Sequence, residues 1–235
     1  MMMRIPASIC RFAVLWFSAG LLILPLTVAA QEDDFGAILS GEVNMPLISR
    51  WDASFEQEFI FSNNLTNFSR SKSTVGADYS LIRKKLKAGF AYSFIRKEED
   101  FSRFETRHRF ALGFTYKEEL KRNLTLSLRS RLQSTLRDES RGDYQVNPKY
   151  YWRNRLQLNY QMPRLPLRPE VSCEFFYPLN REVANLIDAW RFTAGMEYQW
   201  NKRNAVSLYY RFDREQNVPN PLRTYSVGLG YVFSM

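Results

Sequence analysis

From Trp51 onward the chain alternates between apolar and polar residues with a period of two. Trp51, Ala53, Phe55, Phe59 and Phe61 fall on one face, and Asp52, Ser54, Glu56 and Glu58 on the other. An extended strand sends successive side chains to opposite faces, so this pattern predicts a strand that is apolar on one side and polar on the other. The pattern returns over residues 75–81, 86–94, 104–116, 124–136, 150–160, 167–177, 190–200, 206–212 and 225–233, which makes ten segments. Several are longer than the ~5–6 residues usual for strands of soluble sheets. The connections alternate between about two to six residues and about six to twelve.

These features predict an all-β fold: a closed antiparallel up-and-down transmembrane β-barrel of about ten strands, with twelve as the alternative. Membrane-spanning strands need only ~9–11 residues with every second one apolar, and such barrels carry short periplasmic turns and longer outer loops. Ten strands place both ends of the barrel on the short-turn side. Twelve would recruit residues 35–43 (FGAILSGEV), which alternate weakly, together with a further spanning segment that the sequence does not offer. Residues 35–43 are thus an extra strand, a periplasmic segment or a lumenal one.

Residues 1–30 read as a signal peptide. Arg4 and Arg11 form its charged start, residues 12–26 its apolar run, and Thr27-Val28-Ala29-Ala30 the small residues before a cleavage site. Residues 31–49 form an N-terminal segment and turn, and residues 50–235 the barrel.

Alternation alone does not say which face is outside, because a soluble ligand-binding barrel would turn its apolar face inward. The tryptophans decide. Trp51, Trp152, Trp190 and Trp200 all sit on the apolar face near segment ends, and Tyr116, Tyr150, Tyr160, Tyr177 and Tyr198 do likewise. Rings with a polar edge at both ends of the strands suit two membrane interfaces, whereas a ligand cavity gives no reason for them. The apolar face is expected to meet lipid and the charged face to line the lumen.

Composition adds exclusions. The net charge is +9, but the basic residues are spread through the alternating segments, which argues against nucleic-acid binding. Cys10 lies in the leader and Cys173 is the only other cysteine, so neither an intramolecular disulfide in the mature chain nor a cysteine metal site is expected. No phosphate-cradling glycine loop, metal-ligand spacing or nucleotide fingerprint is present, and no cofactor or metal is expected.

The stretches FETRHRFALGFTY, WRNRLQLNYQMP, RPEVSCEFFY, RFTAGMEYQW and AVSLYYRFD, with the acidic start into DFGAILSGEV, resemble an uncharacterised bacterial outer-membrane β-barrel family, a domain-of-unknown-function family. The resemblance runs from Asp34 to the C-terminus. It implies a fold and a location in the outer membrane of a Gram-negative cell, with no established activity or site residues. The last strand, through Tyr231 and Phe233, resembles the assembly signal of such barrels, although Ser234 and Met235 follow it. It implies the barrel-assembly machinery as a partner, beside outer-membrane lipid and lipopolysaccharide.

With the apolar face outward, Arg107, Arg109, Arg129, Arg131, Arg153 and Arg155 point into the lumen, as do Glu56, Glu58, Glu170, Glu174, Glu197 and Asp213. A narrow barrel is filled by its own side chains. Long arginines are expected to cross to carboxylates on the opposite wall and occlude the passage, which favours a structural or binding role over a narrow small-solute channel. The remaining chemistry lies on the outer face. His108, Ser130, Ser134 and Asn154 would form a lipid-facing hydrolase site if the register set His108 opposite Ser130 or Leu132 and Asn154 near Leu132 or Ser134. No local motif supports that arrangement, so the balance leans away from an enzyme.

Overall fold

A computed structural model describes residues 33–100, 103–138, 147–180, 186–218 and 221–235. The leader assigned to residues 1–30 lies outside the described residues. The strands are β1 (Asp33–Pro46), β2 (Trp51–Ser62), β3 (Asn67–Ile82), β4 (Leu86–Asp100), β5 (Arg103–Lys121), β6 (Leu124–Arg137), β7 (Lys149–Tyr160), β8 (Leu167–Pro178), β9 (Ala189–Gln199), β10 (Asn204–Glu215) and β11 (Arg223–Ser234). They form one closed barrel in which each strand pairs with its neighbours in sequence and β1 pairs with β11.

The barrel therefore has eleven strands, one more than the ten expected and one fewer than the alternative. Residues 35–43 belong to β1. When an odd number of strands runs alternately up and down, the first and last point the same way, and closure must be parallel. Asp33 pairs with Arg223 and Asn44 with Ser234, all other joins being antiparallel. No twelfth strand is needed. β1 consequently starts at the end of the barrel that carries the long loops, not at the short-turn end as ten strands would require. Its weak alternation has a local cause. Phe35 and Leu39 point outward, but the inward face carries Ile38, which is 2% exposed, beside Gly36, Ser40 and Glu42.

Two expected outer loops shrink because the strands run on. β3 has 16 residues, β4 has 15 and β5 has 19. The β2–β3 connection is a tight turn over residues 63–66. Asn63, Asn64 and Leu65 there have φ of 53°, 55° and 69°, a conformation that asparagine tolerates better than most residues. Residues 69–73 lack the apolar alternation of the other strands because Ser71 and Ser73 occupy outward positions. On the outer wall the Ser73 hydroxyl donates to Gln57 Oε1 at 2.5 Å, and Gln57 Nε2 donates to Ser71 Oγ at 3.0 Å. Polar groups on a lipid-facing wall must find partners among themselves, and these do.

The faces are as the tryptophans indicated. Leu112 and Leu208 are each 58% exposed, while Glu58 is 7% and Glu174 5% exposed. The apolar face is outside and the charged face inside, the inverse of a soluble barrel.

In a ten-strand barrel the small inward residues Gly228 and Gly230 of the last strand would close against the strand that begins at Trp51. Instead β11 meets β1, and the space beside Gly228 is filled by its register partner on β10, Tyr209. A Cβ at Gly228 would overlap the Tyr209 ring. Overfilling a packed site costs about 1–3 kcal/mol. Gly228→Leu is expected to lower the urea-unfolding free energy of the refolded barrel by that amount, and adding Tyr209→Ala to recover most of it. Additive losses in the double variant would show that the two sites do not touch.

Candidate functional site

The charged lining is concentrated where β5, β6 and β7 adjoin. Alternation turns Arg107 and Arg109 of β5, Arg129 and Arg131 of β6, and Arg153 and Arg155 of β7 inward. Register then sets them side by side: Arg107 opposite Arg137, Arg129 opposite Arg155, and Arg131 opposite Arg153. Adjacent strands lie about 4.8 Å apart, so these are close like-charge neighbours, an arrangement that destabilises a sheet unless something compensates it.

Part of the compensation comes from carboxylates on the same wall. Arg153 lies 3.0 Å from Glu174 Oε1 and Arg129 lies 4.0 Å from it, while Arg153 Nη1 donates to Gln133 Oε1 at 2.8 Å. Arg107 pairs with Glu105, which also lies 3.6 Å from Arg137. Elsewhere Arg191 grips Asp213 through two hydrogen bonds of 2.6 and 3.2 Å, and Arg168 meets Glu197 at 2.7 Å. Lys72 sits between Glu56 at 3.3 Å and Glu58 at 3.4 Å, Lys87 pairs with Asp52, and Glu170 accepts from Gln157 at 2.8 Å.

These ion pairs join residues on the same strand, adjacent strands or next-but-one strands. The expected pairing across the lumen is not how the described contacts are made, because a partner one strand away is within reach of a short carboxylate and one on the far wall is not.

Two guanidinium groups of the block have no such partner. Among the described residues Arg131 and Arg155 make no hydrogen bond or ion pair. Arg155 has Glu174 as its register partner, but both oxygens of Glu174 engage Arg153, one of them also lying near Arg129, and Arg155 Nε is buried without a partner. Among the described residues Arg109 bonds only the Thr135 hydroxyl, at 3.2 Å.

The lumen also holds aromatic rings that alternation, read for its apolar face, passed over. Phe176 points inward and carries the Arg153 guanidinium at 4.4 Å and the Arg191 guanidinium at 5.3 Å from its ring centroid. Tyr209 lies 5.3 Å from the Arg211 guanidinium, and the Tyr151 hydroxyl donates to Asp188 at 3.0 Å. An aromatic between two apolar outward residues, as in Phe175-Phe176-Tyr177, was the available signal.

The outer-face candidates are not brought together. His108 stands opposite Leu136, not Ser130 or Leu132, and its Nδ1 shares a 2.8 Å hydrogen bond with the Tyr92 hydroxyl. Ser130 accepts from Trp152 Nε1 at 2.9 Å. Asn154 is the register partner of Ser130, and Ser134 that of Phe110 and Tyr150. Among the described residues none of Ser130, Ser134 and Asn154 hydrogen-bonds His108, whose ring reaches Tyr92 and neither serine hydroxyl. No group of three His, Cys, Asp or Glu side chains among the described residues is arranged to hold a metal.

The outer aromatics form two groups. At the long-loop end Trp152, Phe175, Trp190, Phe192, Phe212 and Tyr225 contact one another in sequence, with centroid separations of 5.0 to 6.4 Å. At the short-turn end Trp51 packs on Tyr79 at 5.0 Å, and Trp200 is exposed at the end of β9. Near the C-terminus the Tyr231 hydroxyl donates to Asn204, and Phe233 pairs with Val43 of β1.

An apolar exterior, a charged interior and full closure define an outer-membrane-type β-barrel fold. The chain belongs to the family described as Protein of unknown function (DUF2490), which it matches over residues 16–223. Its fold is similar to that of the NanC porin, with a TM-score of 0.57 at 13% identity, covering 86% of this chain and 99% of that one. It is also similar to a bacterial polysaccharide outer membrane secretin, with a TM-score of 0.51 at 13% identity, covering 79% of this chain. The chain spans 63% of the secretin's length. No curated protein matches it.

The lumenal pairs differ in what they contribute. Glu174 is nearly inaccessible, so Glu174→Gln leaves buried guanidinium groups uncompensated, a change that costs about 3–5 kcal/mol. The Arg168 side chain is 45% exposed, and breaking its pair by Glu197→Gln is expected to cost no more than ~1 kcal/mol. Urea unfolding in micelles separates the two. Equal losses would contradict the assignment of Glu174 as the hub of the arginine block.

Proposed function

We propose that the protein is a bacterial outer-membrane barrel of structural or binding type, whose lumen is closed to free flow by its own side chains. The observation that carries this is the inner wall. Its carboxylates Glu56, Glu58, Glu174 and Asp213 are tied to cations on the wall, and Glu58, Gln133, Thr135 and Glu174 are each 7% exposed or less although they face the lumen. Side chains facing a wide aqueous passage would be open to water. Arginines stacked on Phe176 add bulk at the same level.

Location in the outer membrane is supported by the fold and by the two aromatic groups, which suit a bilayer whose interfaces lie near the two ends of the strands. Lipid and lipopolysaccharide then cover the apolar wall. The alternating outward face of β11, with Tyr231 and Phe233, serves as the segment offered to the assembly machinery. The leader over residues 1–30 directs export.

Single barrels reconstituted in planar bilayers are expected to show no steady ohmic conductance. A large, constant, ohmic current would contradict the filled lumen and favour the small-solute channel.

A further inference from the structure

The arginine block is poorly explained as a stabilising device. Two Arg–Arg pairs stand directly opposite one another on β6 and β7, Arg129 with Arg155 and Arg131 with Arg153. Among the described residues Glu174 is the carboxylate that forms ion pairs with these four, engaging Arg153 and Arg129. Arg131 and Arg155 have no hydrogen bond or ion pair among the described residues. Arg155 Nε and Arg153 Nε are buried and unpartnered. Glutamine or threonine at these positions would line the lumen without repulsion.

A guanidinium is a planar fork of N–H donors matched to two oxygens of a carboxylate or phosphate. Register spaces the four at about 4.8 Å between strands and about 7 Å along each strand. That grid suits one anionic group reached from two sides, or two such groups on one small molecule. Phe176 beneath Arg153 and Gln133 beside it hold one corner of the grid in place.

We propose that Arg131 and Arg155 form a lumenal site for a soluble oxyanion, a phosphate- or carboxylate-bearing solute small enough to enter the barrel. This rests on the inward orientation of the charged face and specifies what a binding barrel of this kind holds. The anion supplies the charge that the wall lacks, and Glu174 keeps the remaining two arginines ordered while the site is empty of ligand.

The test uses the full mature barrel refolded in neutral detergent micelles, titrated calorimetrically with pyrophosphate and with citrate, and with sodium chloride at matched ionic strength. Saturable binding of pyrophosphate or citrate is expected, and which of the two binds tells phosphate from carboxylate preference. Arg131→Gln with Arg155→Gln is expected to weaken it by at least roughly tenfold, while Arg168→Gln, distant in the wall, leaves it unchanged. Arg131→Lys with Arg155→Lys retains the charge and covers the case in which the glutamine pair does not refold. It is expected to bind more weakly than wild type, through loss of the fork geometry. Absence of saturable binding by both anions, a response equal to that of chloride, or undiminished binding in the double variants would overturn the proposal. Conductance is recorded on the same preparation without added oxyanion. An open pore there would remove the filled lumen while leaving the titration to judge the site.

Discussion

The constraint on which everything else depends is that a backbone amide or carbonyl facing hydrocarbon has no water to bond. A sheet can satisfy those groups only by leaving no edge. For this chain that means every strand, including the first and last, must be paired on both sides. Eleven strands running alternately up and down bring β1 and β11 together in the same direction. The parallel seam is thus a consequence of closure with an odd count, and it draws residues 35–43 into the wall. Closure also fixes the faces. Once the apolar residues meet lipid, each polar side chain between them must be accommodated inside.

The interior is where that accommodation becomes costly. Charges held away from bulk water need partners, and the sheet supplies them one strand away: Arg153 with Glu174, Arg191 with Asp213, Lys72 with Glu56 and Glu58. Buried pairs of this kind are weak evidence for stability in themselves, because desolvation offsets much of the attraction. Their consequence here is order. A guanidinium fixed by a carboxylate on one side and Phe176 on the other no longer moves freely through the lumen. Against that ordered background Arg131 and Arg155 stand out, among the described residues, as guanidinium groups with no hydrogen bond or ion pair.

Much of the barrel was legible because a lipid-facing wall enforces period-two alternation so strictly. Ten strands, the orientation of the faces and the tryptophan rims all follow from it. What stayed hidden was set by exceptions to the period. Ile38 faces inward on β1 and blurs its contrast. Gln57, Ser71 and Ser73 occupy outward positions, and their mutual hydrogen bonds, which make that tolerable, are invisible in sequence. The arginine-rich character of the lumen was readable, but its pairing was not, since which arginine faces which depends on register. A two-residue slip between β5 and β6 would have set His108 opposite Ser134 in place of Leu136. Phe176 is placed inward by the period alone, between the outward Phe175 and Tyr177, and nothing in its own chemistry sets it apart from them.

The seam between β1 and β11 is tested most directly by disulfide trapping. In a background lacking Cys173, paired cysteines at Leu39 and Leu229, which are register partners across the parallel join, are expected to cross-link on mild oxidation of the folded barrel. Cysteines at Phe59 and Leu229, separated by the width of β1, are too far apart for a bond that needs Cα atoms within about 7 Å. Efficient linkage of Phe59→Cys to Leu229→Cys with none at Leu39 would mean that β2 closes the barrel against β11, and would contradict the eleven-strand wall.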